Sequence, residues 1–399
     1  MFAPIISSLR LSPIQVMAER TRQIMQQGHS VIDMTLGEPD FPTPDHIAQA
    51  AIRAIREGET RYTPINGTLK LREAIVEKFK RDNAIECSIA DISVGCGGKQ
   101  VIYQAFLATL SKGDEVAMAV PYWASYSDIV SMNGGVFRPI MTTPEKGYAL
   151  QAADLEAAIS AKTKWFVLNS PSNPSGTAYD RNQLTAFAEV IRRSKNKDFL
   201  ILADDIYEHI LYDGRRFCTL AQVAPDLADR ILTVNGVSKA YAMTGWRLGY
   251  ACGPRALIEA MTKVQMQINS HTSSISQAAA AAALNGPQDE VARRCAAFER
   301  RRDFLLDAFS RIDGLSTPRP EGAFYLFPDV RRFVGRRKPS GELIADDMAL
   351  ASYLLDSGVA AVPGSGFGMP GFLRLSYATS DANLHIAAQR MAYALNNLN

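Results

Sequence analysis

Ile231-Leu-Thr-Val-Asn235-Gly-Val-Ser238-Lys239-Ala-Tyr-Ala-Met-Thr-Gly-Trp-Arg247-Leu-Gly249-Tyr-Ala-Cys252 reads as a strand, a polar loop and a second strand. Ile231–Asn235 and Leu248–Cys252 are short, mostly apolar runs of the kind found in strands buried on both faces. Outward from this stretch the same reading applies to Ile92–Cys96, Glu115–Val120, Val136–Ile140, Trp165–Asn169 and Phe199–Asp204. Between several of these lie amphipathic stretches of helix length, Gln100–Leu110 and Arg181–Ser194 among them. Strands alternating with helices predict βαβ units, hence an α/β fold around a mainly parallel sheet. Ligands of such sheets sit beyond the carboxyl ends of the strands. Most of the unusual polar residues fall just after those ends, Ser238 and Lys239 included.

Beyond the sheet region, Pro287–Arg311 predicts a long helix carrying Arg293, Arg294, Arg300, Arg301 and Arg302. A second α/β pattern runs from Ala323 to the end. The first 45 residues show no strand–helix alternation and are expected to join the C-terminal part in a discontinuous small domain. The expected division is 1–45 for an N-terminal arm and part of the small domain, 46–290 for a large domain, and 291–399 for a linking helix and the remaining small domain. No internal repeat is visible, and the alanine run Ala278–Ala283 reads as helix.

The 399 residues are 47% apolar and 21% charged, the composition of a soluble globular protein able to bury a sizeable core. With 43 basic against 41 acidic residues and no long run of either sign, neither nucleic acid nor a membrane surface is the expected partner. Cys87, Cys96, Cys218, Cys252 and Cys295 are scattered without a Cys-x-x-Cys pair, so no disulfide framework, zinc site or other metal is expected. Residues 1–15 lack the basic start and apolar core of a secretion signal, and no apolar stretch is long enough to span a bilayer. The cytoplasm is the expected compartment.

Lysine is uncommon in interiors unless paired or functional, because desolvation opposes its charge. The same desolvation makes the amine a better nucleophile toward an aldehyde. Lys239, at a strand end and preceded by small residues, is placed for that role, and Arg247 can hold a phosphate with two parallel hydrogen bonds. On this stretch alone, a solvent-facing lysine and arginine is an equally good reading. Gly97 and Gly98 precede the helix expected near Gln100, so bare backbone amides and a positive helix end can meet an anion. The run Gly95-Cys-Gly97-Gly98 lacks the spacing of a dinucleotide-binding loop, and no acidic residue follows at the required distance.

Gly236–Gly249 resembles, position by position, the lysine-attachment signature of the class I/II, fold-type I aminotransferases, which depend on pyridoxal phosphate. Asn169-Ser-Pro-Ser-Asn173-Pro-Ser-Gly176 resembles their Asn-Pro-x-Gly turn, Asp204-Asp205-Ile206-Tyr207 their Asp-x-x-Tyr element, and Gly97-Gly98-Lys99 their phosphate loop. The likeness covers essentially the whole chain. It implies a large domain on a mainly parallel seven-stranded sheet, with a smaller α/β domain drawn from both chain ends. It also implies pyridoxal 5′-phosphate held as an aldimine on Lys239, with Lys239, Asp204 and Tyr207 as catalytic residues. In that arrangement Asp204 pairs with the pyridine nitrogen and keeps the ring an electron sink. Tyr207 and Asn173 bond the cofactor's 3′-oxygen, and Trp123 stacks on its ring. Gly97, Gly98, Lys99, Ser238 and Arg247 surround the phosphate, which Tyr62 reaches from the neighbouring subunit. A homodimer with shared sites is the expected assembly.

The same resemblance assigns the substrate's α-carboxylate to Arg374, in Phe372-Leu-Arg-Leu-Ser, and to Gly37, in Leu36-Gly-Glu-Pro-Asp40, with Trp123 and Asn173 alongside. Thr163–Ser170, Val237–Arg247 and Glu321–Tyr325 are most similar to the bacterial aspartate and aspartate/prephenate branch, in which a cation at Lys99 meets a distal carboxylate. The chain departs from that branch near its start. Arg10-Leu-Ser12-Pro13-Ile14 stands where the branch reads Lys-Pro-Ser-Ala-Thr, so a hydroxyl is replaced by an apolar side chain. The expected activity is ping-pong transfer of an amino group between an L-amino acid, aspartate or glutamate favoured, and a 2-oxo acid such as 2-oxoglutarate. The alternatives are the same fold acting on aromatic or other neutral amino acids or prephenate, or a C–S lyase. A cofactor-sensing regulator would need a DNA-binding module that the roughly 15 residues before the pattern do not supply.

Overall fold

In the computed structural model the described residues are 6, 9 and 13–399. Every run expected as a strand forms one. Numbered from the N-terminus, β1 is Ile32–Asp33, β2 Ile92–Gly95, β3 Glu115–Val120, β4 Val136–Met141, β5 Thr163–Asn169, β6 Leu200–Asp204, β7 Ile231–Gly236 and β8 Gly249–Cys252. Strands β2 to β8 make one seven-stranded sheet in the order β2-β8-β7-β6-β5-β3-β4. Within it β3 to β7 run parallel, while β8 is antiparallel to both its neighbours.

Alternation across the pleat divides the sheet's side chains between two helical layers. Trp165 and Val167 of β5 pack with the helices Gly98–Thr109 and Arg255–Ile268. Phe166 and Leu168 face the other way, toward the helix Arg181–Arg193. That helix starts on a capping box, in which Asp180 accepts from the Gln183 amide and Gln183 reaches back to the Asp180 amide. The helix expected near Gln100 starts earlier, at Gly98, because Gly97 caps it in a left-handed conformation (φ 82°).

A second core collects both ends of the chain. The described part of the N-terminal segment, unreadable by alternation, contains the helix Pro13–Gln26 and the short β1. Ile32 and Asp33 pair in parallel with Val359 and Ala360, which make up β10 (Val359–Ala360). Met17, Ile32 and Met34 are buried beside Phe298 of the long helix Asp289–Ser310 and beside Leu375. An antiparallel three-stranded sheet, β11 (Val362–Pro363), β12 (Leu373–Ser376) and β9 (Tyr325–Leu326), completes this part. The five cysteines are free thiols. Among the described residues no helix is long and apolar enough to cross a membrane.

Candidate active site

Sheet register brings the polar residues to one edge. Asn169 lies opposite Asp204 and Asp204 opposite Val234, so β5, β6 and β7 end side by side. Beyond these ends opens a cavity of about 320 Å³, lined by residues from the sheet edge, the loop after β7 and both chain ends. The expected site residues Gly37, Gly97, Gly98, Lys99, Trp123, Asn173, Asp204, Tyr207, Ser238, Lys239, Arg247 and Arg374 all line it.

Lys239 extends from the loop after β7, and its Nζ donates to the Gly37 carbonyl oxygen at 2.5 Å. Burial, helped by the Arg374 and Arg247 charges, lowers its pKa to about 8. Asp204, at the end of β6, is only 6% exposed. Its Oδ2 accepts from the Tyr126 hydroxyl at 2.5 Å, whereas Oδ1 has only the Ile206 amide at 3.4 Å. Burial raises the Asp204 carboxyl to about 6, against the pull of those two hydrogen bonds. Tyr207 shares a 2.7 Å hydrogen bond with the hydroxyl of Tyr325, and burial pushes its pKa far above the ordinary phenol value.

Arg374 is 2% exposed, on β12. Its Nη1 donates to Asn173 Oδ1 at 3.2 Å and its Nη2 to the Thr35 carbonyl at 2.5 Å. The guanidinium lies over the rings of Tyr325 and Phe367, at 4.8 and 5.0 Å. Its Nε has no partner, and among the described residues it forms no ion pair. A buried guanidinium without a carboxylate, facing a cavity, is built to receive an anion.

The opposite wall is also cationic. A Cβ on Gly97 would meet Arg247 Nη2 at 2.7 Å, so the arginine closes directly on the glycine loop. Gly249 lies below, where a Cβ would collide with the Gly98 amide nitrogen. The loop therefore rests on bare β8 backbone, and Gly97, Gly98 and Lys99 at the start of the helix Gly98–Thr109 line the cavity, where a helix N-terminus favours an anion. Arg247 holds a left-handed conformation (φ 54°), and Ser238 is buried beside the loop. Lys99 lies 4.9 Å from the Trp123 ring, its pKa lowered by burial and then by Arg247. Tyr62 is elsewhere: it is 92% exposed, edge-on to His271, and does not line the cavity. Arg10 lies outside the described residues, whereas Ile14 lines the cavity.

The sequence matches the family model "Aminotransferase class I and II" over residues 29–391. The chain belongs to that family. It is a transaminase of the α/β fold shared by the relatives below. It is 50% identical over 394 residues to an aspartate aminotransferase of Rhizobium meliloti strain 1021, covering 98% of this chain and 96% of that one. It is 47% identical to the aspartate/prephenate aminotransferase of Cereibacter sphaeroides over 96% of both. Among solved structures, an aspartate aminotransferase from Rhizobium meliloti superposes with a TM-score of 0.96 at 49% identity, covering 100% of both chains. The Thermus thermophilus aspartate aminotransferase with maleate gives 0.92 at 39% identity, covering 99% of this chain and 100% of that one.

Three cavity contacts of this aminotransferase escaped the sequence reading: Tyr126 on Asp204, Tyr325 on Tyr207, and the Thr35 carbonyl on Arg374. Tyr325 stood in a stretch read only for its likeness, and a helix tyrosine such as Tyr126 carries no local signal. Away from the cavity, Asp82, Glu208 and His209 bring ligand atoms within 4.8 Å of one another. The buried Lys78 ammonium pairs with Glu208 there and supplies the positive charge that a cation would otherwise bring.

Proposed function

We propose that this chain binds pyridoxal 5′-phosphate on Lys239 and moves an amino group between an L-amino acid, aspartate or glutamate favoured, and a 2-oxo acid such as 2-oxoglutarate. The observation that carries the reading is that Lys239, Asp204 and Arg374 line one cavity. The donor set fits the cofactor. The nearly unpartnered Oδ1 of Asp204 suits a ring N–H⁺, which would also return that carboxyl to its ionised form. The Gly97–Gly98 amides, Ser238 and Arg247 suit a phosphate, and Asn173 and Tyr207 suit the ring's 3′-oxygen. When bound, pyridoxal phosphate supplies a carbonyl that condenses with amines and a ring that withdraws electrons from the substrate Cα.

The chain's own residues do the rest. Arg374 and the Gly37 backbone hold the α-carboxylate and orient the Cα–H bond. With its pKa near 8, Lys239 Nζ is partly unprotonated at neutral pH and can take and return that proton. Lys99 beside Trp123 adds a cation for a distal carboxylate, while Ile14, Leu36 and Ile102 make part of the lining apolar. The name of the Cereibacter sphaeroides relative includes prephenate, so prephenate is tested as an acceptor with 2-oxoglutarate and oxaloacetate. The donor panel sets aspartate and glutamate against phenylalanine and alanine. Transfer from both acidic donors supports the reading; poor transfer from both removes the distal-carboxylate role of Lys99.

The reading extends to assembly. Tyr62, with its ring in solvent, suits the neighbouring subunit's phosphate site, and a homodimer is the proposed state. The division at residues 45 and 290 belongs to the same reading, supported by the separate cores of the sheet and the chain ends. So does a cytoplasmic setting, which suits five unpaired thiols.

A further inference from the structure

We propose that Arg301 is a positioning residue for this reaction, setting the distance between the two parts that grip the substrate's α-carboxylate. The inference deepens the proposed function and rests on it. Arg301 lies on the inner face of the helix Asp289–Ser310, 8% exposed and outside the cavity lining. Its Nη1 and Nη2 clasp Asp40 with parallel bonds of 2.8 and 2.9 Å, and its Nε donates to Asp381 Oδ1 at 2.8 Å. Asp40 is three residues after Gly37, and Asp381 opens the helix that follows β12, which carries Arg374. One planar guanidinium therefore ties both ends of the grip to one helix, and only arginine offers that fork geometry.

The segment between Gly37 and Thr43 is held from two sides, with Arg301 and Arg294 at its back and Thr244, Lys239 and Trp246 toward the cavity. Asp40 itself lies on it, in irregular backbone between β1 and the helix Asp45–Arg56. Phe41 has two guanidinium groups against its ring, Arg294 at 5.4 Å and Arg301 at 5.2 Å from the centroid. Arg294 Nη2 also donates to the Pro42 carbonyl at 2.6 Å. On the cavity side Glu38 accepts from Thr244 at 2.6 Å, and Gly37 accepts from Lys239. The Gly37 carbonyl that meets the reactive amine thus rides on a loop whose back is fixed by arginines. The two carboxylates are not equal: the Asp40 side chain is 25% exposed, and that of Asp381 71%. Screening by water leaves Asp40 the dominant tie.

The test uses holoenzyme of the wild type and of Asp40→Asn, Arg301→Lys and Asp381→Asn, titrated with maleate, an unreactive dicarboxylate. Hydrogen exchange of peptides covering 36–43 is followed without ligand. Asp40→Asn and Arg301→Lys are expected to weaken maleate about ten- to a hundredfold and to speed exchange in that peptide. They should raise KM for aspartate while kcat stays within about threefold; Asp381→Asn should stay within about twofold throughout. If Asp40→Asn loses thermal stability yet binds maleate as the wild type does, with unchanged exchange, Arg301 is only structural and the proposal fails. Wild-type enzyme that neither binds maleate nor accepts aspartate would overturn the substrate reading instead. The exchange comparison, which uses no ligand, still decides on the loop.

Discussion

At Lys239 burial and the neighbouring arginine charges act together against the protonated amine. The amine sits where water is scarce and two guanidinium groups face it, so its charged form is disfavoured in the folded state and not in the unfolded one. Between pH about 8 and 10.5 the unfolded chain holds a proton that the folded chain has released. The folded state of the cofactor-free protein therefore gains stability from this group as pH rises through that window. Lys239→Met removes the contribution, so the stability advantage of Met over Lys should shrink by about 1–3 kcal/mol from pH 7 to pH 10.5. Chemical denaturation of both proteins at the two pH values checks this, and a constant difference would contradict it. Arg374→Ala should cost about a hundredfold or more in kcat/KM for aspartate, since a buried charged hydrogen bond and its geometry are lost together. An unchanged kcat/KM would place the α-carboxylate elsewhere. Lys239, Asp204 and Arg374 were legible in sequence chiefly through the motifs that carry the family resemblance, since a strand-end lysine or an arginine in an apolar run reads equally well as solvent-facing on its own. Tyr126 and Tyr325 were not, because their roles arise only where distant segments meet.

Among the elements, β8 shows what hydrophobic patterning can and cannot give. Its run of small and apolar residues identified a buried strand, but an apolar run has no direction, and its antiparallel setting appears only in the pairing of Gly249 with Gly95 and Gly236. That setting places Gly249 under the Gly97–Gly98 loop, where no side chain fits. Gly249→Ala is expected to push the loop outward, destabilising the fold by about 1–3 kcal/mol and loosening cofactor retention. Thermal denaturation and cofactor dissociation on gel filtration measure the two effects, and full retention would show that the loop is not part of the phosphate site. The earlier start of the helix Gly98–Thr109 has the same origin: glycine at a left-handed cap ends the loop sooner than side-chain periodicity suggests.

For the molecule as a whole, the cavity draws on the sheet edge, the N-terminal segment and the C-terminal strands, so neither core builds it alone. The helix Pro13–Gln26 and β1 were invisible to alternation because two-residue strands and a mixed helix face carry too little pattern; they form by burial against the C-terminal core. The exposed ring of Tyr62 belongs to this scale. Tyr62→Phe should leave a sedimentation-defined dimer intact while weakening cofactor affinity about three- to tenfold, the loss of one hydrogen bond to phosphate. An unaltered affinity would remove Tyr62 from the neighbouring site. The attachment point of the cofactor is the claim on which all else depends. Borohydride reduction of the pyridoxal-phosphate-loaded protein, followed by peptide mass mapping, reads it directly. The pyridoxyl label is expected on Lys239 and nowhere else; a label on Lys99 or another lysine, or none at all, would contradict the account.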